Sequence, residues 1–139
     1  MEKDIIKFFE KDRFAHYVGI ELIKVEPSYA VASLKLEDKH LNGLNAVQGG
    51  AIYTLADFAF AAATNSNGLA TVGINCSITY FKAPKGTVIT AKAKETSAEK
   101  KICGCDVEIL DEDGTLVAKF SGTGYRINKT IDYREGTVT

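Results

Sequence analysis

An α+β fold, with one antiparallel sheet curled around a single long helix, follows from three features of the sequence. An uninterrupted run of Ala and larger apolar residues fills Gly49 to Ser66. Two strand-like segments precede it and four follow it. Short polar turns separate those strands, so neighbours in sequence can pair antiparallel. The 139 residues, 45% of them hydrophobic, make one domain, 1–139, long enough to bury a real core.

Taken in order, residues 2 to about 13 read as a short amphipathic helix. Ile5, Phe8 and Phe9 lie on one side, with Glu2, Lys3, Lys7 and Glu10 mostly on the other. Ile20–Val25 and Tyr29–Leu36 alternate as strands about a Pro27-Ser28 turn. A polar Asn- and Gly-rich loop from His40 leads into the long helix at about 49–66. No Pro interrupts that helix, and Ala and Leu are strong helix formers. Ile52, Leu55, Ala56, Ala59 and Ala63 form one face, and Tyr53, Phe60 and Ala61 make the opposite face apolar too, so the helix is expected to be buried all round. The run is nearly membrane-spanning in length, but Asp57 at its middle and the strands after it favour a soluble reading. In the next strand Val72, Ile74, Cys76, Ile78 and Tyr80 alternate with Thr71, Gly73, Asn75, Ser77 and Thr79. Val88–Thr96, Lys101–Leu110 and Leu116 to about Ile127 follow, with Asp113-Gly114 as a hairpin turn. The tail after Asn128 is polar and expected to fray.

A net charge of −1 gives no sign of a nucleic-acid binder, and no nucleic-acid partner is expected. The charged first residues carry no secretory signal, so no membrane partner is expected. Three cysteines, at 76, 103 and 105, suggest no disulfide framework, and Cys103-Gly-Cys105 lacks the partners of a zinc set; Cys103 and Cys105 read as core thiols on one strand face with Val107 and Ile109, in a reducing cytoplasm. No metal site is expected. His16 and His40 fall in connecting segments.

Asp57 demands an explanation, because a carboxylate among Ala and Phe is costly unless paired or protonated. It is either half of a salt bridge or a catalytic acid or base. Gly49 and Gly50 at the helix start offer unpaired N–H groups at the positive end of a dipole, with no side chain to keep a substrate oxygen away. They either permit a tight turn or form an oxyanion hole. Eight residues separate Gly49 from Asp57, about 12 Å along a helix. One helix cannot present both to a single carbonyl carbon, whereas two antiparallel copies can. The spacing therefore predicts a two-fold homodimer with shared sites, which also covers the second apolar face of the helix.

The run Asn42-Gly-Leu-Asn-Ala-Val-Gln-Gly-Gly-Ala-Ile-Tyr-Thr-Leu-Ala-Asp57 resembles the signature of hotdog-fold acyl-CoA thioesterases of the phenylacetate-degradation (PaaI) type. Asn75-Cys-Ser-Ile-Thr-Tyr-Phe-Lys-Ala-Pro84 and Gly122-Thr-Gly-Tyr-Arg126 resemble that family's later strands. The resemblance spans about Phe14 to Ile127. It implies the hotdog fold and hydrolysis of an acyl-CoA to free acid and coenzyme A. It further implies Asp57 as nucleophile or general base, Gly49 N–H as the carbonyl's donor, and Asn42 as a polar group placing substrate or water. Dimers, or tetramers of paired dimers, are the family's usual assemblies, and no cofactor is needed.

Three positions depart from the family pattern. Gln48 replaces the usual histidine before the two glycines; it can donate a hydrogen bond but carries no proton to transfer. Asn45 stands where Gly is usual. Gly73 replaces a Ser or Thr, leaving Asn75 and Ser77 as substitutes. Tyr53, Phe60 and Ala61 are the expected acyl-pocket residues, which points to an apolar or aromatic acyl group. Lys82, Lys85 and Arg126 are candidates for the nucleotide phosphates. The main rival is a non-hydrolytic acyl-CoA or acyl-carrier binding protein, favoured by Gln48. A hotdog hydratase needs a histidine that this stretch lacks, and a purely structural dimer would pair Asp57 with Lys or Arg.

Overall fold

A computed structural model describes residues 1–139. Its elements are α1 (Glu2–Phe9), α2 (Arg13–Val18), β1 (Ile20–Glu26), β2 (Tyr29–Lys35), a 3-10 turn (Asp38–His40), α3 (Gly49–Thr64), β3 (Leu69–Tyr80), β4 (Val88–Ala98), β5 (Ile102–Leu110), β6 (Leu116–Asp132) and β7 (Thr137–Val138). The strands form one antiparallel sheet in the order β1-β2-β4-β5-β6-β3, with β7 added to the end of β6. This is the hotdog fold, with α3 lying along the concave face.

Small residues let the helix approach the sheet. Ala30 and Ala32 on β2, and Ala91 and Ala93 on β4, are fully buried, as are Ala56, Ala59 and Ala63 on α3. Leu34, Ile89, Val107, Ile109 and Phe120 fill the remaining space. Phe60 is covered within the chain: its ring lies 5.8 Å from that of Phe120 and occupies the space over Gly73 and Gly122. A Cβ on Gly122 would sit 2.7 Å from that ring. The second apolar face of α3 is therefore narrower than its sequence predicts. What remains open is a stripe of Gly50, Tyr53, Thr54, Asp57 and Ala61.

Two local expectations are corrected. The first helix stops at Phe9, and a separate α2 begins after Asp12, whose carboxylate caps it by accepting from Ala15 N at 3.0 Å. Gly19, at φ 101°, ends α2 in a left-handed turn. The tail is not frayed: β6 continues to Asp132 through Asn128 at φ 66°, and β7 pairs back onto it. Tyr133 is buried; its ring meets Phe8 edge-on and its hydroxyl donates to Asn65 O. The polar letters after 128 hid one aromatic anchor.

The strict alternation read for β3 also breaks. Its register against β6 shifts between Gly73 and Asn75. Before the shift Thr71 and Gly73 face inward, touching Arg126 and Phe60; after it Cys76, Ile78 and Tyr80 do. A bulge of one residue flips every later side chain to the other face. All three cysteines are free thiols, and no helix is long and apolar enough to cross a membrane.

Candidate active site

The loop before α3 is held rigidly. Gln48 N donates to His40 O, Asn42 N donates to Ala46 O, and Leu41 bridges Val47. His40 is buried beneath it as an anchor. Glu37 N donates to its Nδ1 at 2.9 Å, and Nε2 lies 2.6 Å from Val18 O, so Nε2 carries the proton. Asn42 folds the loop too: its Oδ1 accepts from Leu44 N and Ala46 N, leaving only its amide NH2 for a substrate. Asn45 sits at φ 58°, a left-handed position that Asn tolerates nearly as Gly does. Its departure from the family's glycine is therefore conformationally silent.

At the start of α3, Ala51 N and Ile52 N both donate to Gln48 O, while the N–H groups of Gly49 and Gly50 have no acceptor in the chain. Two free donors at a helix N-terminus form an anion-ready pair. Tyr80 Oη donates to Gly49 O at 2.9 Å and clamps this turn. A Cβ on Gly49 would lie 3.1 Å from the Tyr80 ring, so a larger residue there would press on this clamp. Gln48 is exposed and makes no side-chain cap bond.

Asp57 accepts no hydrogen bond and has no ion-pair partner within the chain. It opens to the surface of the single chain, yet its carboxyl is raised above the usual range. The protein crowding one side of it removes hydration, and the charge of Asp12 adds to the effect. Tyr53 and Cys76 are its neighbours. Both are raised, first by desolvation; Cys76 feels the Asp57 charge next, and Tyr53 feels Cys76 and then Asp57. The thiol thus keeps its proton at neutral pH. Cys76 packs against the core together with Ile78, on the apolar face that the alternation of β3 gives it.

Other expected site residues lie elsewhere. Arg126 is only 7% exposed and pairs with buried Glu95 at 3.1 Å, while donating to Thr64 O and Thr71 Oγ1. It is committed to the fold and cannot reach a phosphate. Phe60 is in the core, so it does not line an open pocket. Asn75 and Ser77 pair with Thr123 and Ser121 on the outer face of the sheet, away from α3. Lys82 and Lys85 are exposed on the loop after Tyr80 and form no ion pair. Tyr53 and Ala61 stay beside Asp57, each half-buried.

The model of the thioesterase superfamily matches residues 44–118, the loop, α3 and the strands that follow. The acyl-coenzyme A thioesterase PaaI of Escherichia coli K12 is 36% identical over 124 residues, 88% of this chain and 89% of that protein. The chain belongs to the thioesterase superfamily. The solved structure of the E. coli PaaI protein superposes with a TM-score of 0.88, covering 94% of this chain and 95% of that one at 33% identity. A hypothetical thioesterase protein of Streptococcus pneumoniae TIGR4, solved with coenzyme A, reaches 0.79 at 29% identity, covering 86% and 94%. In this superfamily member, the stretch that carries the match is the one that presents the free Gly49 N–H and the desolvated Asp57.

Proposed function

We propose that the protein hydrolyses an acyl-CoA thioester to the free acid and coenzyme A at two sites shared across a homodimer. The observation that carries this reading is the pair of unsatisfied groups on one helix: Gly49 N–H without an acceptor and Asp57 without a partner. The carbonyl oxygen accepts from Gly49 N–H, where the helix dipole, about half a positive charge, stabilises the developing oxyanion. Asp57 of the partner subunit attacks the carbonyl carbon, or takes a proton from a water that does. The tetrahedral intermediate collapses, the C–S bond breaks, and coenzyme A leaves as a thiolate. If an acyl-aspartyl anhydride forms, water cleaves it and frees the acid. A thiolate needs little help to leave, so Gln48 suffices where relatives hold histidine. No metal or redox cofactor enters these steps.

Strand β3 supports the dimer. It is an edge strand of 12 residues that exposes Val72 and Ile74 and carries Asp57's neighbour Cys76. A long apolar edge calls for cover. A second copy pairing along it about a two-fold axis runs the two α3 helices antiparallel and closes the open stripe. Lys82 and Lys85 then remain available for the nucleotide phosphates.

The test is a panel of acyl-CoA thioesters, from short aliphatic to aromatic, followed with a thiol reagent. Release by the wild type and loss of about a hundredfold or more in kcat with Asp57→Asn supports the enzyme. Tight binding without release instead identifies the acyl-CoA binding protein.

A further inference from the structure

A cleft of about 490 Å³ opens between α1, α2, β1 and α3. Ile6, Phe9, Ile20, Leu22 and Phe58 make its floor. Glu10, Asp12 and Glu21 line its rim with His16. Its volume suits a small organic group, and its apolar floor with a few polar groups is the usual character of such sites. The cleft adjoins the reactive carboxylate in two ways. Phe58, one wall, is the residue after Asp57 on α3. Asp12, at the rim, is near enough for its charge to act on Asp57, and its own carboxylate is fixed there by capping α2. On the other side of Asp57, Tyr53 packs edge-on against Phe120, whose ring lies 5.8 Å from that of Phe60.

We infer that this cleft receives the acyl chain of the thioester attacked by Asp57, and that its acidic rim selects neutral acyl groups against those ending in a carboxylate. The inference rests on the thioesterase reading and adds the substrate class to it. An alkyl or aryl chain entering past Asp57 meets only carbon on the floor. A chain with a terminal carboxylate brings a fourth negative charge among Glu10, Asp12 and Glu21; the three are exposed, so each repulsion is screened by solvent, but all three act in the same direction.

The experiment compares kcat/KM for hexanoyl-CoA and adipoyl-CoA, equal in carbon number and different in the terminal charge. The wild type is expected to favour hexanoyl-CoA by at least about tenfold. Asp12→Asn keeps a good helix cap while removing the charge, and is expected to narrow that preference by about threefold or more. Ile6→Trp fills the cleft and is expected to lower the octanoyl-CoA to acetyl-CoA ratio of kcat/KM by about tenfold or more. Equal use of hexanoyl- and adipoyl-CoA, or ratios unmoved by both substitutions, overturns this inference alone. Failure to release coenzyme A from any of the four substrates overturns the hydrolase reading and this inference with it.

Discussion

Asp57 is open to solvent in the single chain and still resists ionisation, because desolvation on its protein side and the charge of Asp12 both disfavour the carboxylate and no cation offsets them. A carboxylate held this way is a stronger base and nucleophile when it does ionise. The acid limb of the kcat/KM profile therefore falls above the ordinary carboxylate range, and Asp12→Asn moves it downward, since the Asp12 charge is one cause of the rise. A pH–rate titration of both proteins checks this. The stability sign follows from the same shift. A folded pKa raised above the unfolded value gives stability that is full below the unfolded pKa, about 3.9, and lost as pH rises through the folded pKa. Asp57→Asn is accordingly expected to raise the melting temperature at pH 7, with the gain vanishing near pH 3 in the same thermal scans. Gln48 is a smaller matter. If thiolate departure needs no proton donor, Gln48→His changes kcat by less than about tenfold, well short of ordinary general-acid effects.

The elements that carry the site depend on interior contacts that crowd out larger side chains. Phe60 fits because β6 has Gly122 beneath it, where a Cβ would come within 2.7 Å of its ring, and Thr71 fits because β6 has Gly124, where a Cβ would come within 2.7 Å of it. The far end of α3 is tied to β4 and β6 through Glu95 and Arg126. Removing one partner of such a buried pair is expected to cost about 3–5 kcal/mol. Arg126→Met should show that loss in urea unfolding, with KM for acyl-CoA unchanged in the fraction that folds; a raised KM with unchanged stability would restore Arg126 to the phosphate role. Much of this scale was legible in the sequence. The long helix, its start at Gly49 and the six main strands follow from period and turn chemistry. Asp12 and Gly19, a cap and a left-handed stop, mark α2 in the sequence to anyone reading the helix ends. The bulge in β3 was not legible. It hangs on backbone register at Gly73 and Asn75, and with it went the facing of Val72 and Ile74, which the alternation grouped with Cys76 and Ile78. Nor was the burial of Arg126, because its partner Glu95 lies 31 residues away on another strand.

At the scale of the whole molecule, one chain holds a donor and an acid that cannot meet on the same carbonyl. Gly49 and Asp57 are fixed about 12 Å apart by the rise of a single helix. The open edge of β3 lies beside the open stripe of α3, since Tyr80 at the end of β3 donates to Gly49 O at the start of α3 at 2.9 Å. The proposed two-fold pairing along that side would cover both and bring each Gly49 toward the other subunit's Asp57. The most direct test mixes two inactive variants. Asp57→Asn lacks the acid, and Gly49→Val blocks the amide against Tyr80. If sites are shared, subunit exchange builds mixed dimers with one intact site each. Random exchange then restores about a quarter of wild-type activity per total chain. If both groups act within one chain, no mixture has an intact site, and activity that stays at the level of the separate variants after exchange contradicts the shared site.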